Sequence, residues 1–174
     1  MAKMVLVFGL SASGKTEFAR NYAKKNGYLY FNPDDFYALL NGDECIHENE
    51  FEVWMTLYRA IHMAEVQNKD IMVDTDAPTR AHRSQFIDWF PTFEHHLVYI
   101  FTNEELRWEN NASRRRIIPK NEMERQLKRF ESFSKEEEEW KSGDWLTYSM
   151  IENLNNKNYK VWEVLKNHSL KGEK

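Results

Sequence analysis

The chain has 174 residues, enough for one domain with its own core, and 11 Phe, 8 Tyr and 6 Trp supply large side chains to fill it. With 24 basic and 28 acidic residues the net charge is −4, which argues against a broad nucleic-acid footprint but leaves room for a local basic groove. Cys45 is the only cysteine, so no internal disulfide can form; with no apolar run near the length of a bilayer span and no secretion signal at the N-terminus, a cytoplasmic setting away from membranes is expected.

In chain order, Met4 to Phe8 is a continuous apolar run and reads as a buried parallel strand. Lys15 to Asn26 reads as a helix stopped by Gly27, and Tyr28 to Phe31 as a short aromatic strand. Pro33 opens a further helix through Leu40, ended by Asn41-Gly42. Glu48 to Asn68 is the longest helical signal, with Phe51, Trp54, Met55, Tyr58 and Ile61 spaced for one apolar face and His62 expected to be half-buried beside them. Ile71 to Asp74 is a strand ending in a carboxylate, Thr79 to Phe90 a helix, Leu97 to Phe101 a strand and Glu104 to Asn111 a helix. After the basic segment Ser113–Pro119, Lys120 to about Trp140 reads as a long charged helix, with Ser134 to Glu139 on its solvated side. Trp145 to Ile151 is read as a last strand, and Tyr159 to Asn167 as a closing helix with Val161, Trp162 and Leu165 on one face. Alternating strands and helices point to a single α/β domain over residues 1–170, with a mostly parallel central sheet, helices on both faces and a basic lid segment.

Gly9-Leu10-Ser11-Ala12-Ser13-Gly14-Lys15-Thr16 matches G-x-x-x-x-G-K-[ST] between a strand and a helix, the context a phosphate-binding loop requires. The glycines allow a tight turn, and the backbone N–H groups of Ser11, Ala12, Ser13 and Gly14 can face phosphate oxygens. Lys15 is suited to the β- and γ-phosphates, and the Thr16 hydroxyl to Mg²⁺. ATP and Mg²⁺ are therefore the expected ligands. Asp74, at the end of an apolar strand, is the second candidate metal residue; Asp76 follows in the same loop without a clear role. No N-K-x-D element is present to read guanine, and the length is short for a motor domain with its own lid subdomain.

Asn32-Pro33-Asp34-Asp35 follows the second strand, which in a doubly wound sheet sets two carboxylates beside the phosphates. Either can accept the proton of an attacking hydroxyl, while a first-turn aspartate can equally cap the helix.

Together the phosphate-binding loop, Asn32-Pro33-Asp34-Asp35-Phe36, Asp74-Thr75-Asp76 and Arg114-Arg115-Arg116-x-x-Pro119 resemble the kinase domain of phage-type polynucleotide 5′-kinases and their small P-loop relatives, over about residues 4–135. The resemblance implies a nucleoside-kinase-like P-loop fold, transfer of the γ-phosphoryl group of ATP to an acceptor hydroxyl, Asp34 as base and Asp35 near the acceptor. It implies one lid arginine at the transferring group, with Arg114 and Arg115 the first candidates and Arg116 also in register. Polynucleotide kinases carry an arginine soon after the aspartate pair; here the matching position is Tyr37. Arg80 and Arg83, or Arg59, are candidates to replace that charge. A 5′-hydroxyl end of DNA or RNA is the first acceptor expected, a metabolite, nucleotide or antibiotic the second, and a nucleotide-binding module with little turnover the third.

Overall fold

The computed structural model describes residues 1–132, 146–155 and 158–166. Its elements are β1 (Lys3–Phe8), α1 (Lys15–Asn26), β2 (Leu29–Phe31), α2 (Pro33–Asn41), α3 (Glu50–Val66), β3 (Ile71–Asp74), α4 (Arg80–Trp89), β4 (Glu94–Phe101), α5 (Glu104–Ser113), α6 (Lys120–Arg129), β5 (Leu146–Asn153) and β6 (Tyr159–Lys166). The six strands form one sheet in the order β2-β3-β1-β4-β5-β6. The first five are parallel, and β6 returns antiparallel to β5.

Alternation along β1 divides the core between two faces. Met4, Leu6 and Phe8 meet Leu57, Ile61 and Ala64 of α3, Phe86 and Ile87 of α4, and Phe90 just after it. Val5 and Val7 meet Ala19 and Ala23 of α1 on the opposite face. Helices thus cover both faces, as a buried parallel sheet requires. β1 pairs with β3 on one side and β4 on the other, so the chain changes direction of growth at β1. Ligand crevices of doubly wound sheets open at the carboxyl ends of strands at such a point, and the loop after β1 begins there.

Four sequence expectations change. α3 buries Val53, Leu57, Ile61 and Ala64, a stripe of smaller residues that fits flat against the sheet; Trp54 and Tyr58 flank it, and Phe51 is exposed. His62 is exposed and pairs with Glu65 at 2.9 Å. The charged helix ends at Arg129, because Phe130 stacks on Phe8 and Tyr99 and the Glu131 N–H is drawn to the Pro78 carbonyl at 2.8 Å. Ser134 to Glu139 lie outside the described residues. Tyr159 to Lys166 is a strand, not a helix. The asparagines before it supply the turn: the Asn158 N–H donates to Asn155 Oδ1 at 2.9 Å, and the Leu154 N–H to the Asn158 carbonyl at 2.9 Å. That hairpin lays Tyr159–Lys166 against β5, so β5 is an interior strand rather than the last one.

Arg83 is fully buried. Its guanidinium donates to the Ala77 and Glu131 carbonyls, both at 3.0 Å, and lies 4.5 Å from the centre of the Phe8 ring. Arg83→Leu leaves those carbonyls without this donor and removes the cation–π contact. A loss of about 2–3 kcal/mol in urea denaturation is expected, with nucleotide affinity of the folded protein kept within a few-fold.

Candidate active site

The loop Gly9–Thr16 turns back on itself with Ala12 at φ 65° and Gly14 at φ 88°, both left-handed. Gly9 passes so close to β4 that a Cβ there would lie 2.2 Å from the Ile100 carbonyl oxygen, so only glycine fits. The Ser13 N–H closes the turn on the Leu10 carbonyl at 3.2 Å, and Gly14 caps α1. The loop rims a cleft of about 930 Å³ whose walls include Lys15, Thr16, Asp34, Tyr37, Asp74 and Asp76, together with Arg114 and Arg116.

Lys15 is held within this cleft. Its Nζ lies 2.6 Å from Asp76 Oδ1, with the lysine side chain 12% and the aspartate side chain 51% exposed. Burial pulls the ammonium pKa down, but Asp76, Asp74 and Asp34 push it up further, so it lies above the ordinary lysine range and the charge is retained. Asp74 ends β3 with no exposure to solvent. Its Oδ2 accepts from Tyr30 Oη and from Asn32 Nδ2, each at 2.8 Å. Its Oδ1 and the Ser13 hydroxyl have no hydrogen-bond partner among the described residues. A buried carboxylate oxygen left in that state, on a cleft that Thr16 also lines, fits a hard divalent cation; with Lys15 and the loop it fits a nucleotide polyphosphate bound with Mg²⁺.

Asn32 ties the second strand to this centre. Its Oδ1 caps α2 by accepting the Asp34 N–H at 2.8 Å, while its Nδ2 reaches Asp74. Capping by Asn32 leaves both aspartate side chains free of that task, and the helix turns them apart. Asp34 is half-buried in the cleft wall. Burial raises its carboxyl pKa above the ordinary aspartate range, Asp76 adds to the rise, and Lys15 and Arg116 oppose it. Asp35 is exposed, is absent from the cleft wall, and pairs with Arg20 at 3.1 Å.

Tyr37 is buried at the cleft, its ring centroid 4.4 Å from that of His47. The basic segment between α5 and α6 is pinned at its base: Asn111 Nδ2 donates to the Ile118 carbonyl and Asn111 Oδ1 accepts the Ile118 N–H, both at 2.9 Å. Arg114 and Arg116 line the cleft, Arg116 donating to His47 Nε2 at 3.1 Å; Arg115 is exposed and does not. Arg80 and Arg83, expected on the acceptor side, are absent from the cleft wall. Arg80 binds Glu131, and Arg83 belongs to the core. Arg59 is exposed and also absent from it. Asp76, left without a clear role by the sequence, is the partner of Lys15. Sequence reasoning passed over Tyr30, His47 and Arg125, which carry no local signal and reach the site from separate segments.

The sequence profile of the AAA domain family matches residues 4–133. Among curated proteins no sequence matches the chain. Solved structures do match in fold. An unliganded sugar kinase from Janibacter sp. HTCC2649 superposes with a TM-score of 0.63 at 18% identity, over 91% of this chain and 87% of that one. The Pnkp1/Rnl/Hen1 RNA repair complex gives 0.64 at 17% identity, over 74% of this chain and 43% of that one. AvrRxo1-ORF1:-ORF2 with ATP gives 0.68 at 15% identity, over 96% of this chain and 59% of that one. Among the described residues no helix is long and apolar enough to cross a membrane. With more than half of its length matched and the phosphate-binding loop inside the match, the chain belongs to the AAA domain family and has the single-domain α/β fold of a small P-loop kinase.

Proposed function

We propose that the chain is an ATP-dependent kinase that transfers the γ-phosphoryl group to an acceptor hydroxyl. The observation that carries this reading is the divergence of the aspartate pair. Asp34 is a desolvated carboxylate in the same cleft as Lys15, while Asp35 is engaged outside with Arg20. A module that only binds nucleotide has no need of such a carboxylate; a kinase needs one to take the proton of the attacking hydroxyl.

In this account the loop N–H groups and Lys15 hold the phosphates, and Thr16 and Asp74 hold the cation. Bound Mg²⁺ supplies positive charge at the phosphates. Asp34 orients the acceptor hydroxyl and takes its proton at a carboxylate oxygen. Lys15, kept protonated by the surrounding aspartates, stabilises charge as the phosphoryl group moves. A guanidinium from the segment after α5 completes the cage. Arg114 and Arg116 are the candidates in position, so Arg114→Ala or Arg116→Ala should lower the transfer rate on the order of a hundredfold, with Arg115→Ala within a few-fold of wild type. Three equal, small losses in steady-state rates would return the cluster to a surface role.

The acceptor we propose is a 5′-hydroxyl end of DNA or RNA. Arg114 and Arg116 can meet one or two phosphates, and the exposed His47 ring, seated on the buried Tyr37 ring, offers a surface for a terminal base or sugar. Tyr37→Ala, which removes the seat of the His47 ring, is expected to raise KM for a 5′-hydroxyl oligonucleotide by roughly tenfold, about the worth of one base stack, and to leave KM for ATP nearly unchanged. A small-molecule acceptor is the second reading. It is favoured by the absence of Arg80 and Arg83 from the cleft wall, which leaves six carboxylates there against four basic side chains, a poor match for a polyanion. Phosphorylation assays that offer 5′-hydroxyl DNA, 5′-hydroxyl RNA and a sugar and nucleoside panel separate the two. A labelled oligonucleotide supports the first; a labelled small molecule alone establishes the second.

A further inference from the structure

Three consecutive carbonyls of the phosphate-binding loop are each held by a side chain of a different element. The Ala12 carbonyl accepts from Asn110 Nδ2 of α5 at 3.0 Å. The Ser13 carbonyl accepts from Asn153 Nδ2 of β5 at 2.9 Å. The Gly14 carbonyl accepts from Tyr159 Oη of β6 at 3.4 Å, in addition to its helical bond from the Phe18 N–H at 3.1 Å. We infer that Asn153, seconded by Tyr159 and Asn110, is a positioning residue that aims the loop's N–H groups at the nucleotide phosphates; this rests on the nucleotide-binding reading above.

Every peptide here is trans, and in a planar trans peptide the C=O and the following N–H point in opposite directions. Holding the Ser13 carbonyl on the outer side of the loop therefore turns the Gly14 N–H inward. Holding the Gly14 carbonyl does the same for the Lys15 N–H. The Ser13 N–H is already engaged by Leu10, so Gly14 and Lys15 are the two donors whose direction this clamp sets. The loop needs such help because Ala12, a residue with a Cβ, sits in the left-handed region.

Asn153 is itself an unusual choice. It ends β5 at 1% exposure, and a carboxamide buried there requires partners. The loop carbonyl is such a partner, 140 positions away in sequence. β5 and β6 also lie beyond residues 4–133, the span the family profile matches. This chain's own C-terminal hairpin thus contributes to a site whose sequence signature lies entirely within the first 16 residues.

The test is calorimetric titration of the full chain with Mg²⁺·ATP and with inorganic tripolyphosphate, the second probing the phosphate cradle alone. Asn153→Ala should weaken both on the order of tenfold, the worth of one well-placed hydrogen bond, while its thermal midpoint stays within a few degrees of wild type. Unchanged affinity for both ligands overturns the inference. If Asn153→Ala does not fold, Tyr159→Phe decides, because it deletes one hydroxyl only: affinity a few-fold weaker supports the clamp, and equal affinity overturns it. Wild-type protein that binds neither ligand sinks the nucleotide reading itself, and the clamp with it.

Discussion

Lys15→Ala is expected to lower phosphoryl transfer on the order of a hundred- to a thousandfold while the protein stays folded. The side chain lies largely in the cleft, its charge kept by three carboxylates, and it packs no part of the hydrophobic core. Its loss removes a cation where negative charge moves during reaction and leaves Asp76, half exposed, free to take water instead. Circular dichroism should match wild type, and the loss should fall on kcat more than on KM for ATP. Transfer within a few-fold of wild type would remove Lys15 from the chemistry.

Asp34→Asn is the second large effect expected, a loss on the order of a hundredfold or more in kcat with ATP affinity little changed. Asparagine keeps the shape and cannot take a proton. Asp35→Asn should stay close to wild type, since it breaks only an exposed pair with Arg20, and such pairs contribute little. The pH profile has a definite sign. The base works only when ionised, and its pKa is raised above the ordinary aspartate range by burial, then by Asp76. Activity should therefore be present at neutral pH and fall as pH drops through a value above that range. Asp76→Asn, by removing a like charge, should move this acid limb to lower pH. A crippled Asp35→Asn beside a mild Asp34→Asn would reverse the two roles.

What the sequence made legible was local. The phosphate-binding loop, the strand-end Asp74 and the aspartate pair each follow directly from a strand, and strands of a parallel sheet deliver their carboxyl ends to one side. Apart from the resemblance, which favoured Asp34, the two aspartates were indistinguishable by their own chemistry, because the choice depends on where Asn32 caps the helix and on Arg20, fifteen positions upstream of Asp35. Arg83 was a candidate for the charge on the acceptor side; its burial comes from carbonyls six and forty-eight positions away and from the Phe8 ring. The Tyr159 strand was hidden by its short apolar run, which satisfies helix and strand periods alike until the asparagine turn before it is read as a hairpin. Asn153 carried no motif at all, since its partner is a backbone carbonyl that any residue at position 13 would offer.

The most direct test of the kinase reading is one transfer reaction. The full chain, wild type and Asp34→Asn side by side, is incubated with Mg²⁺, γ-radiolabelled ATP and a mixture of 5′-hydroxyl oligonucleotides, nucleosides and sugars, and the products are separated by chromatography. The account expects label in at least one phosphorylated acceptor with the wild type and its near-complete loss with Asp34→Asn. Label found only in inorganic phosphate, or ATP bound without turnover against every acceptor class, would contradict it.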